Sequence, residues 1–208
     1  MMLRVEPGEG RSAAHQPADL FPRLLPAVLL IGGAIGLVAS IVLTVERTRA
    51  VSDADYVPSC DLGAVVSCGS VMRSAQASMF GFPNSMIGIA GFAIVLTTGA
   101  VLAAGARPRP WFWMGLQAGA GFGAAFVHVL IFVTLYRIGA VCPYCMVVWV
   151  VTMTIFWYVT LRNLHHSWSR PGGSNVVAVL IRYHSVPVVL WVVTVAVLVV
   201  TRFWAQLR

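Results

Sequence analysis

The sequence has no lysine: all 14 of its basic side chains are arginines, set against only seven acids, for a net charge of +7. Charged residues make up 10% of the 208-residue chain and hydrophobic ones 59%. So little polar surface excludes a water-soluble domain of this size, because nothing would cover so large an apolar content. The arginines fall between apolar runs instead of clustering on one face. That excludes a nucleic-acid-binding surface and fits positive charge at membrane boundaries. No internal repeat points to an inverted-repeat transporter. Cysteine is scarce as well, limited to Cys60, Cys68, Cys142 and Cys145.

What the chain does have is long apolar runs, at about residues 24–45, 84–104, 111–136, 142–161 and 186–203. Each approaches the ~20 residues that a helix needs to cross ~30 Å of hydrocarbon. The fold class is therefore an all-α integral membrane protein with five transmembrane helices. Residues 1–22 are polar and carry Pro7, Pro17 and Pro22, so they read as a disordered N-terminal arm. They are too long, and too lacking in a cleavage pattern, to form a signal peptide with the run that follows. Residues 23–208 then form one transmembrane domain. Glu46, Arg47 and Arg49 close the first span, and the segment 46–83 is the one sizeable loop outside the membrane.

The loops 105–110 and 162–184 hold five arginines and no acid, whereas 46–83 holds four acids. The positive-inside rule puts the N-terminus in the cytoplasm of a multi-pass cell-membrane protein. The C-terminus and all four cysteines then lie on the extracytoplasmic side. Trp111, Trp113, Trp168 and Trp204 stand near span ends, as interfacial anchors do. Gly115, Gly119 and Gly123 make a groove on the third span, with helix packing the default reading and a cofactor cleft the alternative. An ionisable His128 inside that span could be functional, but a neutral imidazole bonded to a neighbouring helix is the commoner case. His165, His166 and His184 are expected to be solvated.

The cysteines carry the chemistry. Cys60 and Cys68 sit in the external loop, and Cys142-Pro143-Tyr144-Cys145 opens the fourth span. A thiol at a helix N-terminus meets unpaired backbone N–H groups and the positive dipole end, which favour thiolate. Pro143 suits the first turn, where its missing N–H costs nothing. Cys145 lies about one turn deeper. One sulfur can then face an aqueous or loop partner while the other faces a lipid-soluble oxidant. Two purely structural disulfides, in a non-catalytic membrane protein, are a competing reading, although so small a C-x-x-C loop stabilises little. A zinc site is not forbidden by the spacing, yet an oxidising compartment and the lack of a chelating fold argue for no metal. A glutaredoxin reading fails for want of a βαβ context.

The combination Cys60-Asp-Leu-Gly, Ser67-Cys68, Ser74, Phe80-Gly-Phe-Pro-Asn84-Ser and Gly88, followed by C-x-x-C, resembles the vitamin K epoxide reductase family, most closely its bacterial members. The match runs from about 24 to 162. The resemblance implies a four-helix bundle around a quinone, capped by the cysteine-bearing loop, with the fifth helix peripheral. It implies that Cys60 takes electrons from a partner and that Cys68 attacks the Cys142 side of an inner disulfide. Cys145 would then reduce, or form an adduct with, the quinone. Asn84 is expected to hydrogen-bond a quinone carbonyl, with a capping role as its bland alternative. Trp149 stands where the family more often has Tyr, which moves the second donor, and Ser74 matches a Ser/Thr position near the centre. Bacterial members often carry a fused thioredoxin-like domain. This chain stops at Arg208, so a separate DsbA-like, thioredoxin-like partner is expected, with menaquinone or a similar quinone as acceptor. The task implied is disulfide formation in exported proteins. A quinone-linked generator of the DsbB type would share the activity, but it places C-x-x-C in the first external loop.

Overall fold

The computed structural model describes residues 17–53, 55–61, 63, 65–168 and 175–207. In hydrocarbon each peptide group needs a partner within its own segment, so the apolar runs are held to helices. The described residues form α1 (Pro17–Ser52), α2 (Cys68–Met72), α3 (Asn84–Ala103), α4 (Pro110–Val133), α5 (Pro143–Trp168), α6 (Asn175–Arg182) and α7 (Val186–Leu207). A 3-10 turn, Ala75–Ser78, follows α2, and a π-helical turn, Thr134–Ile138, extends α4. Five of these helical stretches are long and apolar enough to cross a membrane. The all-α membrane class read from the sequence therefore holds.

Several boundaries differ from expectation. α1 already begins at Pro17, so residues 17–22 of the expected arm are helical; residues 1–16 lie outside the described residues. At its other end α1 passes Val45 and continues to Ser52. Its charges do not stop it because they find partners. Glu46 accepts from Tyr56 Oη at 3.0 Å and Ser59 Oγ at 3.1 Å, while Arg47 donates to Ala77 O at 2.7 Å and to Ser78. The loop after α1 is also partly ordered into α2 and the 3-10 turn, and α6 arises where only a polar link was expected.

Close helix packing is concentrated between α1 and α3, with α5 against both α1 and α4. Glycines permit the first of these contacts. A Cβ on Gly99 would stand 2.5 Å from Leu30 N, and one on Gly33 would stand 2.6 Å from Leu96 N, so the two backbones touch there. The glycines of α4 behave otherwise. At Gly115 and Gly119 a Cβ would meet nothing within 4 Å, whereas at Gly123 it would meet Thr152 Cγ2 at 3.3 Å. The packing expectation thus fails for two of the three, and α3 and α4 scarcely touch one another.

Away from the cysteines, Leu29, Phe92, Trp113, Leu116 and Val159 form an apolar core. Trp111 is exposed, as an anchor should be, but Trp113 is buried, with the Arg162 guanidinium 3.7 Å over its ring. His184 is not simply solvated: its Nδ1 lies 2.6 Å from Tyr158 Oη, and its carbonyl accepts from Trp157 Nε1 at 2.7 Å. His128 pairs its Nδ1 with Ala124 O at 2.8 Å, which requires the proton on Nδ1 because a carbonyl can only accept. Its Nε2 accepts from Trp191 Nε1 on α7 at 3.1 Å. That is a neutral, satisfied imidazole.

Gly99→Val should lower the thermal unfolding midpoint in detergent, by an overpacking cost of about 1–3 kcal/mol. Gly115→Ala, facing open space, should leave the midpoint near the parent value.

Candidate active site

The polar loop after α1 is fixed to the start of α5 by a short stretch of backbone pairing. Val141 N donates to Val65 O at 2.8 Å, and Ser67 N donates to Val141 O at 3.1 Å, giving a parallel bridge between Val66 and Val141. Because the two segments run the same way, the chain beyond Val66 continues alongside Cys142. Cys68, two residues on, and Cys142 bring their sulfurs to 3.1 Å, both with 0% exposure. Cys68 is disulfide-bonded to Cys60, while Cys142 and Cys145 are free. The three sulfurs of Cys60, Cys68 and Cys142 all fall within 4.8 Å of one another. The loop therefore needs no swing to bring Cys68 to Cys142.

Two carboxylates fasten this loop. Glu46, buried at the end of α1, holds Tyr56 and Ser59, immediately before Cys60. Asp61, immediately after Cys60, accepts from Gly69 N at 3.0 Å, and Ser67 Oγ accepts from Ser70 N at 3.2 Å. Both serve the open N-terminal turn of α2. Glu46 did not stand out in the sequence, where it looked like a span terminator; Asp61 was marked only as part of the Cys60-Asp-Leu-Gly motif, with no role of its own.

Cys142 is the residue before α5, and its pKa is lowered from 9.0. The largest cause is the Cys145 thiol donating to it. The backbone N–H groups of Cys145 and Tyr144 act the same way, while burial and the charge of Asp61 oppose them. Cys142 is thus the better thiolate of its pair, as the helix-start argument anticipates.

Cys145 opens on a cavity of about 630 Å³. The cavity runs in the gap between α3 and α4, floored by α1 and α5. From Asn84 to Ile94 alone it follows α3 for ~15 Å at the helical rise. Gly91, Gly115 and Gly119 leave it open, and Arg47 is the one charged residue on its wall. Trp149 is buried, 2% exposed, and forms part of the wall beside Cys145. Asn84 lines it too, but does not act as a helix cap. Its Nδ2 donates to Gln76 O at 2.7 Å and its Oδ1 accepts from Met79 N at 3.1 Å. An amide has two N–H donors, so one remains for a ligand. Ser74 donates to Val71 O at 2.7 Å and lines a separate small hollow of about 40 Å³ that also touches Cys145 and Trp149.

Attack of the free Cys142 thiolate on Cys68 of the Cys60–Cys68 disulfide should slow as pH falls through the depressed Cys142 pKa, with an apparent midpoint below 9.0. Since the charge of Asp61 raises that pKa, Asp61→Asn should move the profile to lower pH. Stopped-flow thiol trapping across pH 6–10 reads both; an unmoved profile in the variant would contradict the assignment.

A sequence model described as the vitamin K epoxide reductase family matches residues 27–160. Among curated proteins no match to the chain is found. The matched stretch takes in all four cysteines, the fastened loop and the helices that wall the cavity, and the family is one of membrane redox enzymes of the disulfide-reductase kind. The chain belongs to the vitamin K epoxide reductase family.

Proposed function

We propose that the protein oxidises an extracytoplasmic thiol protein and passes the two electrons to a membrane quinone. One observation carries this reading: a row of sulfurs, Cys60–Cys68 against Cys142 and then Cys145, ends at a large apolar cavity within the membrane-spanning bundle. Inert structural disulfides would give no reason for a free, buried thiol 3.1 Å from a disulfide sulfur.

The chemistry balances as thiol–disulfide exchange in relay. A partner thiolate attacks Cys60 and expels Cys68 as thiolate. Cys68 attacks Cys142 of the inner disulfide and expels Cys145. The second partner thiol releases the partner as a disulfide, and Cys60 then re-forms its bond to Cys68, freeing Cys142. The inner dithiol gives two electrons and two protons to the quinone, yielding hydroquinone and the inner disulfide. The outer pair oxidised and the inner pair reduced is the arrangement that precedes that last transfer.

The cavity suits a quinone. Its wall is apolar, its remaining donor at Asn84 would hydrogen-bond a carbonyl on which charge develops, and its gap between α3 and α4 would hold an isoprenoid tail. Ser74 and Trp149 shape the cysteine end, with the Trp149 indole in place of a hydroxyl. The fitting partner is a DsbA-like protein of the thioredoxin fold, and menaquinone is the acceptor we favour. In this reading the cysteine end faces outward and the Arg107 and Arg109 turn faces the cytoplasm.

In proteoliposomes with a reduced DsbA-like donor, Cys145→Ala should abolish hydroquinone formation while still allowing the donor to exchange with Cys60. Full quinone reduction by that variant would sink the proposal. Gly119→Leu should raise KM for a long-tailed menaquinone by about tenfold or more, the equivalent of ~1–3 kcal/mol of overpacking, and spare a tail-less naphthoquinone.

A further inference from the structure

The family match ends at residue 160, and α7 lies beyond it. We infer that α7 is a working part of the redox centre, and that Arg202 and Phe203 near its end are positioning residues for the contact between Cys68 and Cys142.

The argument begins at the turn before the C-P-Y-C. Here α4 widens into the π-helical turn Thr134–Ile138 and stops at Gly139, whose φ of 71° is the left-handed conformation glycine favours. The turn is closed by Gly139 N donating to Thr134 O at 3.0 Å. The next carbonyl, Leu135 O, belongs to a residue only 2% exposed. A helix end leaves such carbonyls without partners in their own helix, and water cannot readily reach this one. Arg202 Nε of α7 donates to it at 3.2 Å.

The adjacent Phe203 is 2% exposed on a helix whose other apolar residues mostly face outward. Its ring packs in one cluster with Val65, Val127, Ile131, Leu135, Val141 and Trp149. Val65 and Val141 are the residues whose backbone pairing sets Cys68 beside Cys142, and Trp149 walls the cavity at Cys145. One residue of α7 thus bears on the pairing, and its neighbour holds the turn that leads into it. Farther along, the Trp191 to His128 hydrogen bond fixes α7 against α4 at 3.1 Å. Losing Phe203 would leave a hole behind the bridge; losing Arg202 would free the turn that aims Cys142. Sulfur exchange needs an in-line approach, so a small loosening at this point slows it.

The test reads sulfur geometry without quinone or partner. In full-length protein carrying Cys60→Ala and Cys145→Ala, Cys68 and Cys142 are the only thiols. Diamide takes two electrons and two protons from them to form the cross-link, which maleimide trapping follows with time. Phe203→Ala and Arg202→Met should each slow that cross-link on the order of tenfold to a hundredfold. Arg202→Lys, which keeps a donor, should recover most of the rate, and Val193→Ala on an exposed part of α7 should not change it. With all four cysteines present, kcat should fall and KM for quinone should stay. A cross-link at the parent rate in both variants overturns the inference. So does a slowed cross-link accompanied by a collapse of the thermal midpoint that Arg202→Lys fails to reverse. The inference rests on the relay proposed above only in taking Cys68 and Cys142 as exchanging. Failure of quinone reduction alone leaves the cross-link result standing.

Discussion

The centre depends on two backbone hydrogen bonds, from Val141 to Val65 and from Ser67 to Val141. They tie the irregular loop by its backbone to the start of α5. Without them, a polar loop tethered to α1 would have to find the start of α5 by diffusion, paying the closure entropy at each encounter. With them, two sulfurs 74 residues apart in sequence rest in contact, so the exchange proposed between them would be a local event. The neighbouring anchors serve the same end. Glu46 and Asp61 hold the chain on either side of Cys60, so the outer pair is presented from a fixed strap.

The bundle divides its glycines by purpose. On α1 and α3 they bring two backbones into contact, as Gly33 and Gly99 do, and make a rigid wall. Gly115 and Gly119 on α4, like Gly91 on α3, face emptiness, and the space they leave is the cavity. The same small residue thus gives tight packing on one side of the molecule and room on the other. What decides between them is whether a second helix is braced close enough to use the space. α4 is instead held to α5 at the far end, where Gln117 Nε2 donates to Thr160 Oγ1 at 2.9 Å and Arg162 covers Trp113.

Much of this was legible in the residues. Run length and charge scarcity give five membrane helices, because hydrocarbon leaves the backbone no alternative. The C-P-Y-C at a helix start foretells a depressed thiol at Cys142, since the motif itself supplies the Cys145 thiol, the largest cause, and the backbone donors. The resemblance carried by Cys60, Cys68 and Asn84 named the family before any coordinates. Other features depend on contacts between distant segments, and no local pattern encodes them. Glu46 looked like a helix stop, yet Tyr56 and Ser59 satisfy it and α1 runs on. Trp113 sits at a span end like its neighbour Trp111, but Arg162 draws it into the core. A stripe of glycines reads the same whether or not a helix lies across it. Phe203, in an apolar run, looks no different from the lipid-facing residues around it.

The gap between α3 and α4 has a kinetic consequence. A molecule that reaches Cys145 through it arrives sideways, out of the bilayer. What governs its supply is then its mole fraction among the lipids, not its amount per litre of medium. Diluting the vesicles in buffer leaves that supply unchanged, whereas adding inert phospholipid reduces it. On the proposed relay, the protein would draw on two separate reservoirs, one planar and one aqueous, and its throughput could be set by either independently of the other.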